Sequence, residues 1–223
     1  MCFSATASLI AGAGLSVAGV TALAVTRERR AVPFAAVPLL FGLQQAAEGA
    51  VWLAAAGGDA GMQGCASAAF LGFAEVLWPL YAPLAVLALE PPGWRRRAMW
   101  ACFACGVIVA AAMLHGLVRD FTPGVPEGGH IRYILAYWDE FRNAGLLEAL
   151  LGLYVAATCG SLMLSREPLI CLFGAVVTVA LAVTAFAYET WMFSVWCFFA
   201  AVLSVIMVAW AVRRRATPPA RTS

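Results

Sequence analysis

Apolar residues fill the chain in long blocks, and seven of these can each cross a bilayer as a helix of about 20 residues. They run over residues 4–26, 32–56, 65–89, 98–118, 144–164, 169–188 and 192–212. The last two blocks are nearly continuous. A single helix over all 44 residues from 169 to 212 would be about 66 Å long, twice the hydrocarbon core. The chain is therefore expected to turn near Glu189–Trp191. This pattern predicts an all-α integral membrane bundle of seven transmembrane helices. It forms one domain over 1–212, followed by a short basic tail at 213–223.

Charge distribution orients the bundle. All 14 basic residues are arginine. Arg27, Arg29, Arg30, Arg95 to Arg97, Arg166, Arg213 to Arg215 and Arg221 fall on one side, leaving Arg119, Arg132 and Arg142 for the other. Basic residues concentrate on the cytoplasmic face, so the N-terminus is expected outside and the C-terminus inside. The opening residues lack the positive segment and cleavage site of a signal peptide.

Composition narrows the chemistry. The chain is 63% hydrophobic and 12% charged, against about 25% charged in a soluble domain, so the lipid bilayer is its first partner. The basic clusters are short and sit at helix ends, where topology explains them, so nucleic acid is not expected. Without lysine, retinal-type and PLP-type Schiff bases are excluded.

The polar residues inside the blocks are the candidate chemistry. Gln44, Gln45 and Glu48 share one face of the second helix, with Glu48 about 12 Å below its outer end at 1.5 Å per residue. Glu75 lies about 16 Å below the outer end of the third. Short acidic side chains reach water poorly from such depths, so both need partners, protonation or a wet cavity. Gln44, Gln45 and Trp78 are expected to supply hydrogen bonds to them. His115, Glu148 and Glu189 fall within about a turn of other outer helix ends, and His130 lies in the outer loop. Pro79 should free the backbone carbonyl of Glu75.

The loop over 119–143 reads as a flexible first half and an amphipathic helix from His130 to Arg142. Ile131, Ile134, Leu135, Trp138 and Phe141 make its apolar face. The same segment also fits an outward extension of the fifth helix. Ser4, Ser8, Gly12 and Ser16 form a small-residue strip for close helix contact. Thr190, Ser194, Cys197, Ala201 and Ser204 form another on the last helix, with Trp196 off it.

Two functions follow as expectations. One is an ion or small-molecule site for transport or sensing, lined by Gln44, Gln45, Glu48, Glu75, Trp78, Glu148, Glu189 and Cys197. The other is a metal-dependent membrane hydrolase with a divalent metal on His115, His130, Glu48 and Glu75, although none of the expected membrane helices carries a Glu-x-x-His or His-x-x-x-His pair. A structural or partner-binding subunit is the third reading.

The opening Met1-Cys-Phe-Ser-Ala-Thr-Ala-Ser8, together with Gln44-Gln45-x-x-Glu48-Gly49, Trp78-Pro79 and Ser194-Val-Trp-Cys-Phe-Phe-Ala-Ala201, resembles an uncharacterised group of bacterial multi-pass membrane proteins. The resemblance implies the bacterial cytoplasmic membrane. It marks Cys2, Gln44, Gln45, Glu48, Trp78, His130, Trp196 and Cys197 as motif positions, and it implies no activity.

Overall fold

A computed structural model describes residues 4–187 and 189–216, without the side chains of Glu189 and Ala216. Cys2 and the side chain of Glu189 lie outside the described residues. The described chain is helical apart from one short hairpin. Five helical stretches are long and apolar enough to cross a membrane: Ala5–Val25, Ala60–Leu89, Trp94–Arg119, Pro168–Ala187 and Met192–Arg215. A sixth is reached if the bent pair Ala136–Asn143 and Leu147–Met163 counts as one.

In chain order the first elements are α1 (Ala5–Val25), the short α2 (Val32–Ala35) and α3 (Val37–Gly57). α3 is as long as α1, 21 residues, but it carries Gln44, Gln45 and Glu48 at mid-length, which keeps it less apolar than the five. It lies along α1 through the small-residue strip. Gly12 meets the backbone of Ala46, and Gly42 meets Ser16, so the two backbones approach closely.

The next rod is α4 (Ala60–Leu71), a π-helical turn over Gly72–Leu77 and α5 (Trp78–Leu89). It starts earlier than hydropathy suggests, because Asp59 caps it by accepting from the Met62 N–H at 2.9 Å. The π turn corrects the expectation at Pro79. With N–H groups bonding five residues back, as Trp78 does to Phe73, the carbonyl that faces the missing proline N–H is that of Ala74. Tyr154 fills the gap, its hydroxyl donating to the Ala74 carbonyl at 2.6 Å.

Beyond α6 (Trp94–Arg119) the loop departs from the expected helix. Val125–Glu127 (β1) pairs antiparallel with His130–Arg132 (β2), and Gly128 and Gly129 turn with φ of 59° and 79°. α7 begins only at Ala136 and ends at Asn143. The different start changes the buried face, so that Tyr137 points inward while Ile134 is exposed. α7 meets the following rod at 110°, so it is not an extension of that rod but lies across the helix ends.

The remaining elements are α8 (Leu147–Val155), a π turn at Ala156–Gly160, α9 (Ser161–Met163), α10 (Pro168–Ala187), α11 (Met192–Leu203) and α12 (Ile206–Ala216). A 3-10 turn over Glu189–Trp191 lets α11 pack back on α10, as their combined length requires.

The bundle thus has two unlike ends, one closed by the hairpin and α7 and one carrying the arginine clusters. At the arginine end the buried Glu90 accepts from the Arg166 N–H at 2.7 Å, tying the α5 terminus to the turn before α10.

Close packing at Pro79 can be tested directly. A Cβ on Gly106 of α6 would run into the Pro79 carbonyl. Gly106→Ala is expected to cost about 1–3 kcal/mol in thermal unfolding of detergent-solubilised protein. Gly14→Ala, with open space around it, should be neutral or slightly stabilising.

Candidate functional site

The polar residues of α3 all point into protein. Gln44, Gln45 and Glu48 are fully buried, and each meets a different environment. The Trp78 indole N–H donates to the Gln44 side-chain oxygen at 2.7 Å, while the Trp78 ring stacks on Phe41 with centroids 4.0 Å apart. Ser194 of α11 donates to the Glu48 carboxylate at 2.6 Å. Neither atom of the Gln45 amide has a hydrogen-bond partner among the described residues. The Ser8 hydroxyl on the neighbouring α1 is likewise buried without one.

Glu75 is held from another direction. It sits in the π turn, 1% exposed, and accepts from the Tyr137 hydroxyl and, at 3.2 Å, from the Trp138 indole. Both donors come from α7, so the segment lying across the bundle end reaches down onto a carboxylate within it. Sequence reasoning assigned the hydrogen bonds differently, with Trp78 and the two glutamines serving the carboxylates. Instead Trp78 is engaged by Gln44, and hydroxyl and indole groups from α7 and α11 serve the acids. A carboxylate has more acceptor capacity than an amide, and it draws the stronger hydroxyl donors.

The cap itself is pinned to α4. Gln63 donates to the Gly124 carbonyl at 2.8 Å, and the Gly124 N–H donates to Ser67 at 2.9 Å. Tyr133 stacks on Phe70 at 4.8 Å, and Trp138 meets Phe193 edge-on at 5.2 Å. His130 is buried beside Trp191, ring centroids 5.0 Å apart. Burial lowers its pKa from the ordinary imidazole value.

Cys197 is buried on α11, beside the Gln44 amide and within electrostatic reach of both Glu48 and Glu75. Towards the arginine end an apolar cavity of about 50 Å3 opens against Phe41, Trp78, Phe173, Trp196 and Cys197. Trp196, expected off the small-residue stripe, is buried as well, its indole donating to the Val177 carbonyl at 3.3 Å.

The other candidates lie elsewhere. His115 and Glu148 are exposed on α6 and α8 and do not join the interior group. Thr190 is exposed, whereas Ser194, Ala201 and Ser204 are buried. Among the described residues no group of three or more His, Cys, Asp or Glu side chains is placed to hold a metal ion.

A family model described as a family of unknown function, DUF6629, matches residues 1–222. The chain belongs to the DUF6629 family. No curated protein and no solved structure matches it. For this DUF6629 chain the functional reading therefore rests on its own geometry.

Two residues of the site escaped sequence reasoning, Tyr137 and Tyr154. The Gly128-Gly129 pair between Val125 and Ile131 is a hairpin signal, and reading it would have moved the start of α7 to put Tyr137 inside. Tyr154 had no comparable signal, since its partner carbonyl exists only because of the π register.

That register gives a specific expectation. Tyr154→Phe leaves the Ala74 carbonyl without its donor and should cost about 1–2 kcal/mol in thermal unfolding. Adding Pro79→Ala supplies a backbone N–H and should recover part of the loss. Equal or greater loss in the double variant would contradict the assignment.

Proposed function

We propose that this chain is a seven-span integral membrane protein that binds a small ion or polar molecule in the half of the bundle below the hairpin cap, in transport or sensing. α3 supplies the seventh span. Its 21 residues reach about 31 Å, enough for the hydrocarbon core, and its low hydropathy comes from Gln44, Gln45 and Glu48, which face protein and never lipid. The arginine distribution supports placing the hairpin end outside and the arginine end in the cytoplasm. The resemblance to bacterial multi-pass proteins supports the bacterial cytoplasmic membrane.

The observation that carries the ligand reading is Gln45. A fully buried amide with both atoms unpaired among the described residues costs about 1–3 kcal/mol per group, and such residues inside a membrane bundle mark ion and substrate pathways. Gln45 sits one turn from Glu48. Together they offer a neutral donor–acceptor and a carboxylate, suited to a small cation or a molecule carrying an amine or hydroxyl. Cys197 and Trp78 form the side of the same set, and Glu75 joins it from beneath the cap.

The test is thermal unfolding of the purified protein in nanodiscs across sodium, potassium, magnesium and zinc salts and a panel of small polar solutes. One or more should raise the melting temperature of the wild type by several degrees, and Glu48→Gln should abolish that rise. Identical melting across the whole panel, with Glu48→Leu as stable as wild type, would make the polar cluster dispensable and overturn the ligand reading. Elemental analysis giving close to one metal per chain would redirect the reading to a metal-dependent hydrolase.

A further inference from the structure

The arginine end contains a large recess, about 1070 Å3, between the end of α1, the start of α10 and the end of α12. Its two walls differ in chemistry. Val25, Leu169, Ala211 and the Trp210 ring give an apolar side, and Arg27 and Arg213 to Arg215 give a basic rim. Two carboxylates, Glu28 and Glu167, also reach it. Arg214 takes both of them, contacting Glu28 at 2.8 Å and pairing with Glu167. Its guanidinium also lies 5.4 Å from the Trp210 ring centroid, and the Trp210 indole donates to Glu167 at 3.4 Å.

This single bridging arginine decides the electrostatics of the recess. Arg214 offsets part of the charge of the two acids, and Arg27, Arg213 and Arg215 on the same rim leave the recess net positive towards an incoming anion. Arg27 and Arg215 remain exposed and form no ion pair among the described residues. Arg29 and Arg30 follow Arg27 at the same end of the bundle and add to the positive potential. A basic rim above an apolar wall at a helix-end interface fits an amphiphile whose anionic head meets arginine while its chain lies along the helices. A free phosphate would use the rim alone and leave the apolar wall unexplained.

We propose that this groove is a binding site for an anionic phospholipid, with the headgroup phosphate held by Arg27 and Arg215 and an acyl chain lying against Val25, Leu169 and Trp210. The site is separate from the polar cluster of α3 and does not depend on it. Arg214 is a positioning residue that offsets half the charge of the two acids and holds the ends of α1, α10 and α12 together.

The experiment uses the full chain in neutral detergent. Phosphatidylglycerol, phosphatidylcholine or inorganic phosphate is titrated in, with thermal unfolding and native mass spectrometry as readouts. Phosphatidylglycerol should raise the melting temperature and stay bound, and phosphatidylcholine and inorganic phosphate should do neither. Arg27→Gln and Arg215→Gln should each weaken phosphatidylglycerol binding about five-fold, with unchanged melting in neutral detergent. Arg95→Gln on α6, outside the recess, should leave it unaltered. Inorganic phosphate acting as well as the lipid would make this a soluble-anion site. Equal binding of the two lipids, or equal losses from Arg95→Gln and the groove variants, would overturn the proposal. The lipid comparison needs no variant, so it stands even where a substitution prevents folding.

Discussion

The grip of α7 on Glu75 is the contact on which the arrangement of this molecule turns. A carboxylate inside an apolar bundle has to find its hydrogen-bond donors within the protein, since the cost of leaving it without them exceeds what most single contacts contribute. Tyr137 and Trp138 supply those donors from a segment that would otherwise be a surface loop. The same demand operates on Glu48, which draws Ser194 from α11. Each buried acid therefore ties together parts of the chain far apart in sequence.

Backbone groups obey the same constraint. Pro79 removes one donor from the ladder, the π turn decides which carbonyl is left over, and Tyr154 meets it. Gly106 lets α6 come close to the proline at that point. The ends of the bundle solve different problems. At one, aromatic stacking and hydrogen bonds to α4 fasten the hairpin cap. At the other, arginines and a few paired acids gather, and Arg214 closes the gap between the first and last helices.

The helical rods were legible in the sequence because apolar length is a strong and local signal. The turn at Glu189–Trp191 followed from length alone, and the strip of Ser8, Gly12 and Ser16 announced a close helix contact without saying that α3 would make it. The burial of Gln44, Gln45, Glu48 and Glu75 was legible for the same reason, as polar residues deep in apolar blocks have nowhere else to face. Hydrogen-bond partners were not legible. They depend on helix register and on side chains dozens of residues away, and Tyr137 became visible only once the hairpin had shifted the start of α7. His115 and Glu148 were placed by depth along their helices, which says nothing about rotation around the axis, and both rotate outward.

The decisive measurement is a double-mutant cycle between Tyr137→Phe and Glu75→Gln, read by equilibrium unfolding of the solubilised protein. If α7 is fastened to the bundle interior through this contact, the two substitutions should couple by at least about 1 kcal/mol, the second costing much less once the first is made. Losses that add to within about 0.5 kcal/mol would show that the cap does not depend on Glu75, and the account built on it would fail.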